Sequence, residues 1–125
     1  MVFPNCKKAG ISLFTALLVL VIGIHIAEIM YPGYSVSLNY ISDLGATCRG
    51  AMCKIVQPSA VIFNSSVILS GILILIAACF IYRAFRNLIV PVFFFFFCIE
   101  AMGIVFFLEN TGQIHLIISI IAFFF

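Results

Sequence analysis

Charge is what this sequence has least of. Among 125 residues, six are Lys or Arg and four are Asp or Glu, 8% of the chain, where soluble domains carry about a quarter. So few charges could not cover the surface of a water-soluble fold, whereas lipid accepts apolar side chains all round a helix. The basic residues are scattered, which excludes the basic stripe that a nucleic-acid partner requires. Signatures of chemistry are also missing: there is no Ser-x-Gly elbow, no phosphate-binding P-loop and no zinc signature. The two histidines stand in neither His-x-x-x-His nor Glu-x-x-His spacing. No nucleic acid, cofactor or metal is therefore expected.

What the chain does have is hydrophobic length. Apolar residues make up 66%, and the mean hydropathy is +1.36. A bilayer core needs about 20 apolar residues of helix. Residues 9–30, 60–82 and 88–108 meet that length. A fourth run, 112–125, reaches only about 21 Å at 1.5 Å per residue. It ends on Ala122-Phe123-Phe124-Phe125 with no polar stop. The expected fold class is all-α, a polytopic transmembrane bundle of three full helices and a partial fourth. The expected organisation is a single transmembrane domain, 1–125, forming the N-terminal fragment of a longer unit. Lys7 and Lys8 before an apolar run resemble the start of a signal peptide, but that run exceeds the usual h-region of about 7–15 residues. It also closes on His25 and Glu28 instead of a small-residue cleavage site. A retained first helix is expected.

Basic residues set the expected orientation. Lys7, Lys8, Arg83 and Arg86 share one side, which places the N-terminus in the cytoplasm of a multi-pass cell-membrane protein. Arg49 and Lys54 fall in the outer loop, 31–59. Tyr31-Pro32-Gly33-Tyr34 has turn chemistry, and Ser42-Asp43-Leu44-Gly45 suits a short helical turn. The loop is expected to fold back on the helix ends, with Cys48 and Cys53 a candidate disulfide across Gly50.

Polar residues gather towards the outer side. By helical rise, Glu28, His115, Asn64, His25 and Glu100 all lie within about 12 Å of that boundary. The inner half holds little beyond Ser12, Thr15 and Cys79. Glu100 is the sharpest, since a charged side chain near a helix centre costs roughly 2.5–3.5 kcal/mol on insertion scales. It is expected to face other helices, with Gly103 allowing close approach. Asp43, Glu100 and His115 are the candidate catalytic residues; His25, Glu28, Ser42, Asn64, Glu109 and Asn110 are the candidate binding residues. Alternatively, these side chains only fix the bundle by interhelical hydrogen bonds. The run Phe93 to Phe97 covers every direction around a helix and is read as facing lipid or neighbours.

Tyr31-Pro32-Gly33-Tyr34-Ser35, Asn39, Ser42-Asp43-Leu44-Gly45, Phe63-Asn64, Gly71 and Glu109-Asn110 leading to His115 resemble the family of membrane proteins called domain of unknown function 998. The resemblance implies a multi-pass protein with more helices than this sequence holds, and it implies no agreed activity. Two functions stay open. One is a non-catalytic membrane component or small transporter-like protein. The alternative is a membrane-embedded hydrolase-like enzyme acting on a lipid or hydrophobic substrate. Expected partners are the lipid bilayer and either a homo-oligomer or missing C-terminal helices.

Overall fold

The computed structural model describes residues 2–49, 51–106 and 113–124. Its element order is α1 (Val2–Met30), a 3-10 turn (Ile41–Leu44), β1 (Thr47–Arg49), β2 (Met52–Lys54), α2 (Ser59–Phe85), α3 (Ile89–Phe106) and α4 (Gln113–Phe124). The fold is all-α, and consecutive helices pack on one another. Helix α1 starts earlier than hydropathy alone indicates. Pro4 lies in its first turn, where a missing N–H costs nothing, and Lys7 and Lys8 continue the helix without needing to be buried. The loop holds more than a helical turn: β1 and β2 pair antiparallel in the register Thr47↔Lys54, Cys48↔Cys53 and Arg49↔Met52. A disulfide joins Cys48 to Cys53 across that ladder.

The packing is small inside and large outside. Helix α1 buries Ala9, Ser12, Ala16, Gly23 and Ala27. Facing them, α2 buries Ala60, Phe63, Val67, Ser70 and Gly71 among others. Small side chains let two backbones approach closely. The approach is tightest at Gly23, where an added Cβ would overlap the side chain of Ser66. It also lets hydroxyls cross between the helices. Ser12 Oγ donates to the Leu73 carbonyl at 2.7 Å, and Ser70 Oγ donates to the Ala16 carbonyl at 2.9 Å. These pairs run in opposite directions along the two helices, so α1 and α2 are antiparallel. Cys98 Sγ on α3 similarly contacts the Gly71 carbonyl at 3.3 Å.

Many large aliphatics and aromatics of α1 to α3 point outward. Leu17, Ile22, Ile29, Phe93, Phe96 and Phe97 are all exposed, Ile29 by 81%. Such residues form the interior of ordinary soluble domains. Helices α1 and α2 are long and apolar enough to cross a membrane, and α3 contributes a shorter apolar stretch, Ile89–Gly103.

Candidate functional site

The polar residues meet in a cap that the 31–59 segment builds over one end of the α1–α2 pair. It starts with a turn. Pro32 fixes φ, Gly33 takes φ +78°, and the Tyr34 N–H returns to the Tyr31 carbonyl at 3.2 Å. That is type II geometry, in which the third residue needs a positive φ. The Ser35 N–H then donates to Asn39 Oδ1 at 3.1 Å, while the Asn39 N–H returns to the Ser35 carbonyl at 2.8 Å. Asn39 is thereby held with its amide Nδ2 donating to Asp43 Oδ2 at 3.1 Å.

Asp43 is the centre of this network and only 1% exposed. Its Oδ2 also accepts the Tyr40 N–H at 3.0 Å, and its own N–H donates to the Tyr40 carbonyl at 3.0 Å. This reciprocal pair closes the start of the 3-10 turn as a capping box closes a helix. Thr47 Oγ1 donates to the Asp43 carbonyl at 3.1 Å, so the Tyr31 hydroxyl is the donor in its 2.7 Å contact with Thr47 Oγ1. Ser59, at the first position of α2, places its hydroxyl 3.5 Å from the Leu44 carbonyl. Beneath this network Tyr31, Leu44, Phe63, Val67, Ala27 and Val105 form one apolar cluster. The cap is therefore fastened to α1, α2 and α3 by the same few residues.

Two further candidates border the cap. Asn64 lies under Gly45: a Cβ at Gly45 would come within 2.8 Å of Asn64 Oδ1 and 3.2 Å of the Phe63 ring. That Oδ1 is buried and has no hydrogen-bond partner among the described residues. Glu28 is half-buried in the last turn of α1. Tyr34, which stacks edge-on against Tyr31 at 5.8 Å, has its pKa raised by burial first and then by the negative charges of Glu28 and Asp43. Ser42 contributes its carbonyl, which accepts the N–H groups of Gly45 and Ala46.

Other candidates stand apart from the cap. His25 is exposed, and its Nδ1 bonds the Val21 carbonyl of its own helix at 2.8 Å. It falls on the α1 face opposite Gly23 and Ala27, because two residues of helix turn a side chain through about 200°. His25 therefore points away from the α1 face that packs on α2, and it does not join Asn64 beneath Gly45. Glu100 is half-buried on α3, three residues before Gly103, where an added Cβ would meet Ile118 of α4 at 3.2 Å. Glu109 and Asn110 lie outside the described residues, as does the side chain of His115. Among the described residues no cluster of three His, Cys, Asp or Glu side chains is placed to hold a metal ion.

Sequence reasoning missed Thr47, whose hydroxyl links Tyr31 to Asp43, and it missed the Gly23–Ser66 crossing. The second left a readable signal: Ala9, Ser12, Ala16, Gly23 and Ala27 recur at the three-, four- and seven-residue spacing of one helix face.

The described residues thus form an all-α bundle with two helices of membrane-crossing length and a folded polar cap. The family model described as "Protein of unknown function (DUF998)" matches residues 14–125, and the chain belongs to that family. The residues that carried the resemblance from Tyr31 to Gly45, with Phe63 and Asn64, are those that build and seat the cap. No curated protein matches the chain, and no solved structure matches it.

Proposed function

We propose that this chain is a multi-pass component of the cell membrane, with its N-terminus in the cytoplasm and residues 31–59 forming an external cap. In this reading the cap is non-catalytic and belongs to a structural or small transporter-like protein. The membrane part is supported by the outward-facing aliphatics of α1 to α3, which lipid tolerates and water does not. Orientation is supported by Lys7, Lys8, Arg83 and Arg86 at one end of the bundle. Exposed Val36, Leu38, Tyr40 and Ile41 suit a cap resting at the headgroup level.

The observation that carries the non-catalytic reading is Asp43. The residue is 1% exposed, and its Oδ2 is held by Asn39 and the Tyr40 N–H. A general acid or base must come within hydrogen-bond reach of a substrate proton. The hydrolase alternative, with Asp43, Glu100 and His115 exchanging protons, would require this carboxylate to leave its cap.

Asp43→Asn separates the two readings. Active-site groups are often retained at a cost in stability, so a catalytic Asp43 replaced by Asn would leave the protein as stable or make it more so. A carboxylate that holds the cap together contributes about 1.5–3 kcal/mol through its charge-assisted hydrogen bonds. The expected result is loss of about that much stability, with faster proteolysis within 31–59. Unchanged or increased stability would refute the non-catalytic reading.

A further inference from the structure

We propose that the cleft at the other end of the bundle, between the end of α2 and the start of α3, binds an anionic phospholipid. This inference rests on the membrane-spanning reading above. The cleft is open on one side and has a volume of about 910 Å³. Leu75, Val92 and Phe95 give it apolar walls, while Tyr82, Arg83 and Arg86 stand at its polar end. An acyl chain fits the first part, and a phosphate oxyanion fits the second, where guanidinium groups donate paired hydrogen bonds.

Charge complementarity favours this occupant. Lys8 Nζ lies 5.5 Å from the Phe80 ring, which sets Lys8 of α1 about one turn of α2 from Arg83. Glu28 and Asp43 are at the opposite end, and Glu100 is about three turns along α3 from Ile89. The cations of this end therefore face lipid headgroups without a neighbouring described carboxylate. With the proposed orientation they face the cytoplasmic leaflet, where anionic lipids concentrate.

The backbone supplies an independent observation. Arg86 ends α2 in the left-handed conformation, φ 53° and ψ 26°, with its N–H on the Tyr82 carbonyl at 2.8 Å. Glycine is the usual residue there, because a side chain is strained at positive φ. An arginine held at a position where glycine would close the helix without strain points to a use for its guanidinium.

The test compares the parent, Arg83→Gln/Arg86→Gln and Arg86→Gly in detergent. Each is given phosphatidylglycerol, phosphatidylcholine with the same chains, or inorganic phosphate. Lipid retention is read by native mass spectrometry and thermal stability by circular dichroism. The parent should prefer phosphatidylglycerol by roughly thirtyfold, the sum of two interfacial arginines. The double variant should lose that preference. Arg86→Gly should keep or raise the lipid-free midpoint while losing most of the preference, an outcome a purely structural arginine would not give. Equal binding of the two lipids overturns the proposal, as does stabilisation by phosphate alone. Disulfide cross-linking of Cys79 between two copies, undiminished by phosphatidylglycerol, would assign the cleft to a dimer and overturn it too. Alkaline carbonate extraction of parent membranes keeps the two readings apart. Release of the protein would refute membrane spanning itself, whereas retention with equal lipid binding refutes only the lipid site.

Discussion

Replacing Gly23 with Ala is expected to destabilise the bundle, although the same change at Gly10, on the same helix, is expected to help it. Alanine is favoured over glycine inside a helix by about 1 kcal/mol. At Gly10 nothing lies within 4 Å of an added Cβ, so only that gain operates. At Gly23 the new methyl would overlap Oγ and Cβ of Ser66, so α1 and α2 must move apart. Overpacking of this kind costs about 1–3 kcal/mol. Separation also stretches the Ser70–Ala16 and Ser12–Leu73 hydrogen bonds, each contributing about 0.5–1.5 kcal/mol. With both hydrogen bonds counted and the alanine gain subtracted, the net loss should be about 1–5 kcal/mol. Ser66→Gly removes both clashing atoms, so the double variant should recover more than about 1 kcal/mol relative to additivity. The chain has no tryptophan, so unfolding is followed by far-ultraviolet circular dichroism during titration of mixed micelles with dodecyl sulfate. Stabilisation at Gly23 equal to that at Gly10, or an additive double variant, would refute the close crossing.

Three further outcomes are expected. After mild reduction of intact cells, a membrane-impermeant maleimide should label Cys48 or Cys53 and spare Cys6; labelling of Cys6 alone would invert the orientation. Ser70→Ala should cost about 0.5–1.5 kcal/mol, because its buried hydroxyl bridges to α1, while Ser65→Ala should be nearly neutral, since that exposed hydroxyl bonds only its own helix. Tyr34 should titrate above the ordinary tyrosine value of 10.0, read by absorbance of the phenolate. A folded-state pKa raised above the unfolded one gives stability that is present below pH 10 and lost as pH rises through the folded value. Tyr34→Phe should remove that alkaline loss, and an unchanged alkaline profile would show that Tyr34 does not carry it.

Much of the architecture was legible because the quantities that set it are local. Hydropathic length marked four apolar runs, and among the described residues a helix lies on each. Lys7, Lys8, Arg83 and Arg86 could be sorted to one end by counting helices. The Pro32-Gly33 turn follows from one residue that fixes φ and one that tolerates a positive value. Proximity of the cap residues was legible only as a list. Their resemblance to a family marked Tyr31, Asn39, Asp43 and Asn64 together without saying why they belong together.

Tertiary structure decided the rest, since depth in a membrane constrains a residue along the helix axis but leaves its direction free. His25 and Asn64 have similar calculated depths, yet His25 turns to the outer face of α1 while Asn64 lies beneath Gly45. The sequence places Asp43 in the outer loop as a candidate catalytic residue and leaves its exposure open. It is buried because Asn39 and the Tyr40 N–H meet its charge and Leu44 anchors the turn in the core. The sequence alone marked four apolar runs that become helices, through their length, though not where α1 begins. Which faces meet, and which polar atoms are sealed between them, was decided by the helix crossing, which depends on the absence of a side chain at Gly23 as much as on any residue present.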